Sequence, residues 1–215
     1  MGTTTTTTKN NPSIDWLRIA IHVIGLARIF QLVVLWLLDD LTANPIQFIE
    51  QRLGRTAILM LLLTLAVTPL VTLAGWKQIG RFRKTLGMYA FLYFGLHFLT
   101  FAVFDYQFNL GEILRQMIEK PFILAGVAAG IKLALLAITT AKYWKKRLGK
   151  NWKTLHRLVY LAGILAMLHY LLSQKGALGT FAGNILMPVI GFAVLAVLLV
   201  VRVPIVKYWL ISLKR

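Results

Sequence analysis

The side chains in this sequence best suited to hold a metal are four histidines: His22, His97, His156 and His169. Each falls inside a long apolar run. A lone histidine there would usually brace two helices, because polar groups in a bilayer are costly and seek partners. Four of four, with none in a loop, points to ligand chemistry instead. Imidazole is the usual axial ligand of non-covalent haem, and helical bundles build cofactor sites from side chains on facing helices. The chain contains no cysteine. That excludes thiolate-held iron–sulfur clusters, thiolate-ligated haem and covalently attached c-type haem. A zinc site would want three or four close N, O or S ligands, and neither an HExxH motif nor a His/Asp cluster is present. A proton relay would want mid-span carboxylates, and the sequence reading finds none. It finds mid-span cations at Arg28 and Lys132; Lys132 is read as snorkelling or as meeting a propionate or quinone. There is no Walker A motif, dinucleotide fingerprint or nucleophile elbow. Met88, Met117 and Met167 read as packing, and the GxxxG-like pair Gly126 and Gly130 as a close helix contact.

The elements that must position these histidines are transmembrane helices. Of 215 residues 58% are hydrophobic and 14% charged, yet 24 Lys and Arg stand against 7 Asp and Glu, a net charge of +17. A soluble domain carries about 25% charged residues, and a nucleic-acid binder would line a soluble face with its basic residues. Very apolar and very basic together imply apolar spans joined by basic loops. A span needs about 20 residues, and candidates lie at 14–38, 56–75, 86–104, 121–141, 154–172 and 185–203. The expected fold is therefore an all-α bundle of six transmembrane helices over residues 14–203. A polar tail, 1–13, is expected to be disordered and is no signal peptide; a basic tail, 204–215, follows the bundle. Lys77, Arg81, Arg83 and Lys84, then six cations from Lys142 to Lys153, then Lys207, Lys214 and Arg215 mark alternate loops and the C-terminal tail. The remaining loops hold Asp39, Asp40, Glu50, Asp105, Glu112 and Glu119, with Arg52, Arg55, Arg115, Lys120 and Lys175. The positive-inside rule then puts both termini in the cytoplasm, with the basic loops touching anionic lipid or docking an acidic donor. Trp16, Trp36, Trp76, Trp144, Trp152 and Trp209 fall at span ends, as an interfacial belt would.

Depth suggests which histidines pair. His97 stands 13 residues beyond Lys84, and His169 16 residues beyond Lys153. At 1.5 Å per residue both lie roughly 20–24 Å from the cytoplasmic side and could ligate one iron from opposite faces. His156 precedes His169 by 13 residues, about 20 Å along the axis but about 220° around it. A second, inner haem at His156 would need a different neighbour, or a bend at Gly163. His22 is one candidate partner there, and Arg83 or Lys84 could meet propionates.

The stretch LGKNWKTLHRLVYLAGILAMLHY (148–170) resembles the fifth-span signature of ferric-reductase-like transmembrane proteins. Within that superfamily it is most similar to the MsrQ family, haem-binding membrane subunits of the bacterial periplasmic methionine-sulfoxide reductase system. NPIQFIEQRLGRTA (44–57), TLAVTPL (64–70) and RKTLGMYAFLYFGLHFLT (83–100) match as well. The resemblance implies a multi-pass protein of the bacterial inner membrane that binds haem b, one or two per chain, and is associated with FMN. It implies electrons arriving from quinone or a cytoplasmic flavin reductase and leaving to a periplasmic molybdopterin enzyme that repairs oxidised methionine in proteins. The matching histidines are His97, His156 and His169, as axial ligands to haem iron, and Arg83 falls at a basic position of the motif. The wider superfamily often has two histidines on span three, whereas here only His97 is found. No flavodehydrogenase domain follows span six, so electrons are expected to come from another molecule, to a subunit that is not itself catalytic. The competing readings are a stand-alone ferric reductase or cytochrome b, and a small transporter or assembly factor whose histidines only brace helices.

Overall fold

The computed structural model describes residues 12–174 and 185–212, so most of the polar tail, Lys175, Lys214 and Arg215 lie outside the described residues. No strand occurs among the described residues. The helices are α1 (Pro12–Leu37), α2 (Pro45–Leu73), α3 (Arg83–Thr100), α4 (Leu110–Glu119), α5 (Pro121–Ile138), α6 (Lys142–Leu148), α7 (Asn151–Leu155), α8 (Leu158–Leu172), α9 (Leu186–Val200) and α10 (Pro204–Ser212). Proline opens α1, α2, α5 and α10, where its missing N–H would have no intrahelical acceptor anyway. Asn44 caps α2 through the Gln47 N–H (3.1 Å) and Asn109 caps α4 through the Glu112 N–H (3.1 Å).

Among the described residues, five helical segments are long and apolar enough to cross a membrane: 16–37, 45–73, 77–105, 121–138 and 151–172. The sixth span is less regular than its sequence suggests. At 15 residues α9 reaches roughly 22 Å, and the path continues through α10 only after a bend of 78°. The second helix begins at Pro45, eleven residues before the apolar run starts at Thr56. Gln47, Glu50, Gln51, Arg52 and Arg55 hide that first part from a hydropathy reading. Helix α4 lies where the sequence leads one to expect a loop. Its apolar residues Leu110, Leu114 and Ile118 are exposed on one stripe, while Arg115 pairs with Glu112 and Glu119 (3.9 and 2.7 Å) on another. That is the pattern of a helix lying in a membrane interface.

The two most extensive helix contacts are α2 with α3 and α5 with α8, and α3 with α5 joins these pairs. Met60, Leu61, Tyr89, Ala90, Tyr93, Leu133 and Ala162 form the shared core, with Leu65, Met167 and Leu195 as a smaller cluster under α9. Helix α1 leans on α3 at Gly25, where the Tyr89 ring occupies the space a side chain would need and the Tyr93 hydroxyl donates to the Gly25 carbonyl (2.6 Å). Trp16, Phe30, Trp36 and many aliphatic side chains face outward, as lipid contact requires. Thr56, Thr64, Thr100, Thr139 and Thr140 turn their hydroxyl protons to carbonyls one turn back on their own helices, which satisfies them without a partner helix.

One polar contact crosses the bundle for a reason written in the sequence. Pro69, inside α2, has no N–H, so the Leu65 carbonyl one turn back loses its helical partner. Arg202, two residues past the end of α9, donates to that carbonyl through Nη2 and to the Tyr160 hydroxyl (2.7 Å) through Nη1, with its guanidinium 5.0 Å from the Tyr160 ring centre. Arg202 thus joins Arg28 and Lys132 as a cation inside the predicted spans. Replacing Arg202 with Leu should destabilise the protein by about 1–3 kcal/mol, the cost of an unmet buried acceptor. The loss should be smaller by about 1 kcal/mol in a Pro69→Ala background, where α2 supplies its own N–H. Thermal melts of the four proteins in one detergent check this, and strict additivity would refute it.

Candidate functional site

His97 and His169 meet across a cavity between the two helix pairs. The His97 ring leaves α3 near its C-terminal end and the His169 ring leaves α8 at the corresponding place. Their ring centres are 6.0 Å apart and the ring planes cross at 73°. Each ring is held the same way. His97 Nδ1–H donates to the Glu50 carbonyl on α2 (2.9 Å), and His169 Nδ1–H donates to the Phe122 carbonyl on α5 (2.7 Å). Because a carbonyl only accepts, each bond fixes the proton on Nδ1 and leaves Nε2 with a free lone pair.

The seats themselves are glycines. In a helix the side chain at i+4 leans back over the carbonyl at i, so a ring can reach that carbonyl only where i+4 is small. Here i+4 is Gly54 after Glu50 and Gly126 after Phe122. A methyl group on Gly126 would lie 2.6 Å from His169 Nδ1, and one on Gly54 3.2 Å from His97 Nδ1. The pattern repeats in sequence: both rings bond a carbonyl 47 residues earlier, and both stand 43 residues after their glycine (97 − 54 and 169 − 126). Gly126 is therefore a ring seat, while Gly130 is filled by Phe94; the GxxxG-like pair admits side chains as much as a neighbouring backbone.

The cavity measures about 660 Å³, within the range of small-molecule and cofactor sites. Leu61, Ala129, Leu133 and Ala166 line its apolar part; Gln51, Arg55, Asp105, Lys120 and Gln174 line its polar part. A five-residue π-helix, Phe101–Asp105, extends α3 along one wall, and the chain then reverses through Gln107 and Phe108 at positive φ (47° and 57°).

His22 and His156 are placed differently. His22 Nδ1 shares a hydrogen bond with the Tyr89 hydroxyl (2.8 Å) and makes an edge contact with that ring. His156 Nε2 lies 3.2 Å from Thr139 Oγ1. Thr139 gives its own proton to the Leu135 carbonyl (2.7 Å), so His156 Nε2–H is the donor. Trp152 stacks on the His156 ring (centres 3.9 Å apart) and donates Nε1–H to the Thr139 carbonyl (2.8 Å). Among the described residues no hydrogen bond or ring contact joins His22 to His156. Arg83 reaches Thr68 Oγ1 (3.5 Å), and its charge is felt at His156. The break between α7 and α8 comes at His156 and Arg157, while Gly163 packs against Leu195 and Leu65. Lys132 bonds the Ala128 carbonyl of its own helix (3.2 Å) and Arg28 bonds Gln31.

Two imidazoles on opposite sides of one metal ion, each about 2 Å from it, have ring centres roughly 6 Å apart. The His97–His169 pair has that separation, one free nitrogen per ring and second-shell carbonyls that set both tautomers. It fits a planar metal macrocycle held between two imidazoles. The sequence reading found the pair but missed Gly54, Arg55 and the Glu50 carbonyl. The available signal was the matched spacing of carbonyl, glycine and histidine.

This architecture is that of a transmembrane helical domain with two histidines facing each other across a cavity. Residues 53–167 match the model of the ferric reductase like transmembrane component family. The chain is 39% identical over 193 residues, 89% of its length and 86% of the relative, to the "Protein-methionine-sulfoxide reductase heme-binding subunit MsrQ" of Herminiimonas arsenicoxydans. Relatives of the same name from Bordetella pertussis (39% over 165 residues, covering 77% of this chain and 78% of the relative) and Xanthomonas euvesicatoria (42% over 132 residues, 61% of each) also match. No solved structure matches the chain. The chain belongs to the MsrQ family of ferric-reductase-like membrane proteins.

The two seats should respond differently to substitution. Gly126→Ala must push His169 off the Phe122 carbonyl, at about 1–3 kcal/mol for the orphaned groups, whereas Gly54→Ala asks only a small shift of His97. In ¹⁵N-histidine NMR of protein without added ligand, Gly126→Ala should lose one of two Nδ1–H signatures and Gly54→Ala should keep both. Equal behaviour of the two variants would refute the seat geometry.

Proposed function

We propose that this protein carries electrons across the bacterial inner membrane through a b-type haem held between His97 and His169, and passes them to a periplasmic methionine-sulfoxide reductase. The supporting observation is the pair of imidazoles with Nδ1 fixed to backbone carbonyls and Nε2 free toward one cavity. The printed names of the relatives, heme-binding subunits of a protein-methionine-sulfoxide reductase, give the partner its class. Haem supplies reversible one-electron chemistry at iron. The chain's own residues do the rest: the Glu50 and Phe122 carbonyls orient the ligands, the two glycines admit the rings, and Leu61, Ala129, Leu133 and Ala166 keep the inner part of the cavity apolar. The basic loops and the C-terminal tail face the cytoplasm in this reading, which puts the polar mouth of the cavity on the periplasmic side. In this reading the partner is a molybdopterin enzyme, the donor is quinone or a flavin reductase, and FMN is associated with the protein.

An inner haem at His156, with His22 or Arg83 as neighbour, would have to take a ring nitrogen now bonded to Thr139 or approach past Trp152. The His97–His169 seat requires no such exchange, and the proposal rests on it. Reduced-minus-oxidised spectra and a haem-to-protein ratio on detergent-purified protein test the reading. His97→Ala and His169→Ala should each lose the bis-imidazole haem, cutting its content at least tenfold, while His22→Ala keeps it. A folded, colourless protein that cannot be reconstituted with haem would overturn the proposal.

A further inference from the structure

Of the four histidines only His22 is exposed, and it stands on a segment, 16–37, long and apolar enough to cross the membrane. It lies six residues beyond Trp16, about 9 Å deeper than an indole at the span end. Polar side chains at such depth ordinarily turn into the bundle and find a partner there. His22 does so with one nitrogen only. Its Nδ1 shares a hydrogen bond with the Tyr89 hydroxyl (2.8 Å), and among the described residues nothing bonds its Nε2.

The surroundings of Tyr89 set the protons. The Tyr89 side chain is buried, 8% exposed, with its ring in the space beside Gly25. Among the described residues His22 Nδ1 is the one acceptor its hydroxyl meets. A buried hydroxyl proton without an acceptor is costly, so Tyr89 donates to Nδ1 and the imidazole proton is on Nε2. Helix α1 therefore presents an N–H donor to the hydrocarbon, where no water is available to accept it. Lipid headgroups and their ester groups lie at the level of the interfacial indoles, above His22. The acceptor that fits is a carbonyl on a molecule dissolved in the hydrocarbon itself. A quinone is such a molecule: uncharged, soluble among lipid tails, and carrying carbonyls on its ring. Tyr89 also links this place to the histidine cavity, since His97 follows it by eight residues on α3, about 12 Å along the same helix.

We infer that the His22 Nε2–H group, oriented by Tyr89, is a binding site on the lipid-facing side of α1 for a carbonyl oxygen of a quinone. His22 touches the ligand, and Tyr89 is a positioning residue that fixes the tautomer. The part of the bound quinone as an electron donor rests on the function proposed above; its binding does not, and the two fail separately.

The test titrates the full-length protein in detergent with two probes, a short-chain ubiquinone and the dimethyl ether of the corresponding quinol, which has no ring carbonyl. Affinity is measured directly, and ¹⁵N-histidine NMR follows the Nε2–H signal of His22. The quinone should move that signal and bind the parent about tenfold more tightly than the ether, roughly the worth of one hydrogen bond away from water. His22→Phe should lose the preference and keep the haem spectrum, while His22→Gln, which retains an N–H donor, should keep part of it. Tyr89→Phe should weaken quinone binding and turn His22 into a mixture of tautomers, a signature that a purely structural role for Tyr89 would not give. Equal affinity of the parent for the two probes, or a preference that survives in His22→Phe, overturns the inference. So does added phosphatidylcholine that displaces the quinone and moves Nε2–H alike, because a lipid ester then answers the donor. Absence of a haem spectrum in the parent counts against the proposed function and leaves the binding result standing. Should His22→Phe not fold, the two probes on the parent and on His22→Gln still decide.

Discussion

A helix carbonyl has two lone pairs, and helix formation uses only one. In a bilayer no water is available to take the other, so any donor that reaches it finds a ready acceptor. The tertiary polar contacts of this protein are built largely on that fact. Tyr93 reaches the Gly25 carbonyl, His97 that of Glu50, His169 that of Phe122, Trp152 that of Thr139 and Arg202 that of Leu65. In three of these the residue one turn beyond the acceptor is what opens it: Gly54, Gly126 and Pro69. Glycine removes the overhanging side chain, and proline removes the competing N–H. The two imidazoles are thus positioned by helix backbone, the stiffest part of a membrane bundle.

Because the acceptor is backbone, the arrangement can recur on a different helix with a different side chain. Glu50 and Phe122 have nothing in common as residue types, yet their carbonyls do the same work for rings 47 residues later. The α2–α3 pair and the α5–α8 pair are two versions of one device, facing each other across the cavity. Facing devices of the same kind leave the same ring nitrogen free on both sides, which a single histidine seat opposite an arbitrary donor would not ensure. The tautomer, often the least determined feature of a histidine site, is here set twice by the same geometry.

The parts of this arrangement that were legible in the sequence are those that hydropathy and residue type report. Apolar runs located five of the spans closely, and equal depth picked out His97 and His169. Hydropathy fails at the start of α2, since Gln47, Glu50, Gln51, Arg52 and Arg55 are polar, and all of these but Arg52 line the cavity. It also missed α4, whose apolar stripe is narrow. The glycines were visible but ambiguous, since a small residue admits a neighbouring helix or a side chain equally well. The structure distinguishes the two by what fills the gap: an imidazole at Gly126 and a phenyl ring at Gly130. The helix is interrupted at His156 and Arg157, between α7 and α8, whereas Gly163 lies within α8. Trp152 reads from its place at a span end as an interfacial residue; its ring also covers His156, a contact that spacing alone does not reveal.

The two ends of the bundle therefore treat histidine in opposite ways. At His156 the ring proton is on Nε2, the acceptor is a hydroxyl already committed to its own helix, and an indole covers one face. A ligand arriving at His156 Nε2 must first break that hydrogen bond. At His97 and His169 the hydrogen bonds lie behind the rings, on the side away from the cavity's free nitrogens, and a ligand can be added without removing any. Satisfied polar groups hold a bundle together, whereas unsatisfied ones persist at a cost that folding alone does not explain. The cavity between α2–α3 and α5–α8 is for this reason the site on which the proposed function rests, whereas the His156 contacts tie α7 to the end of α5.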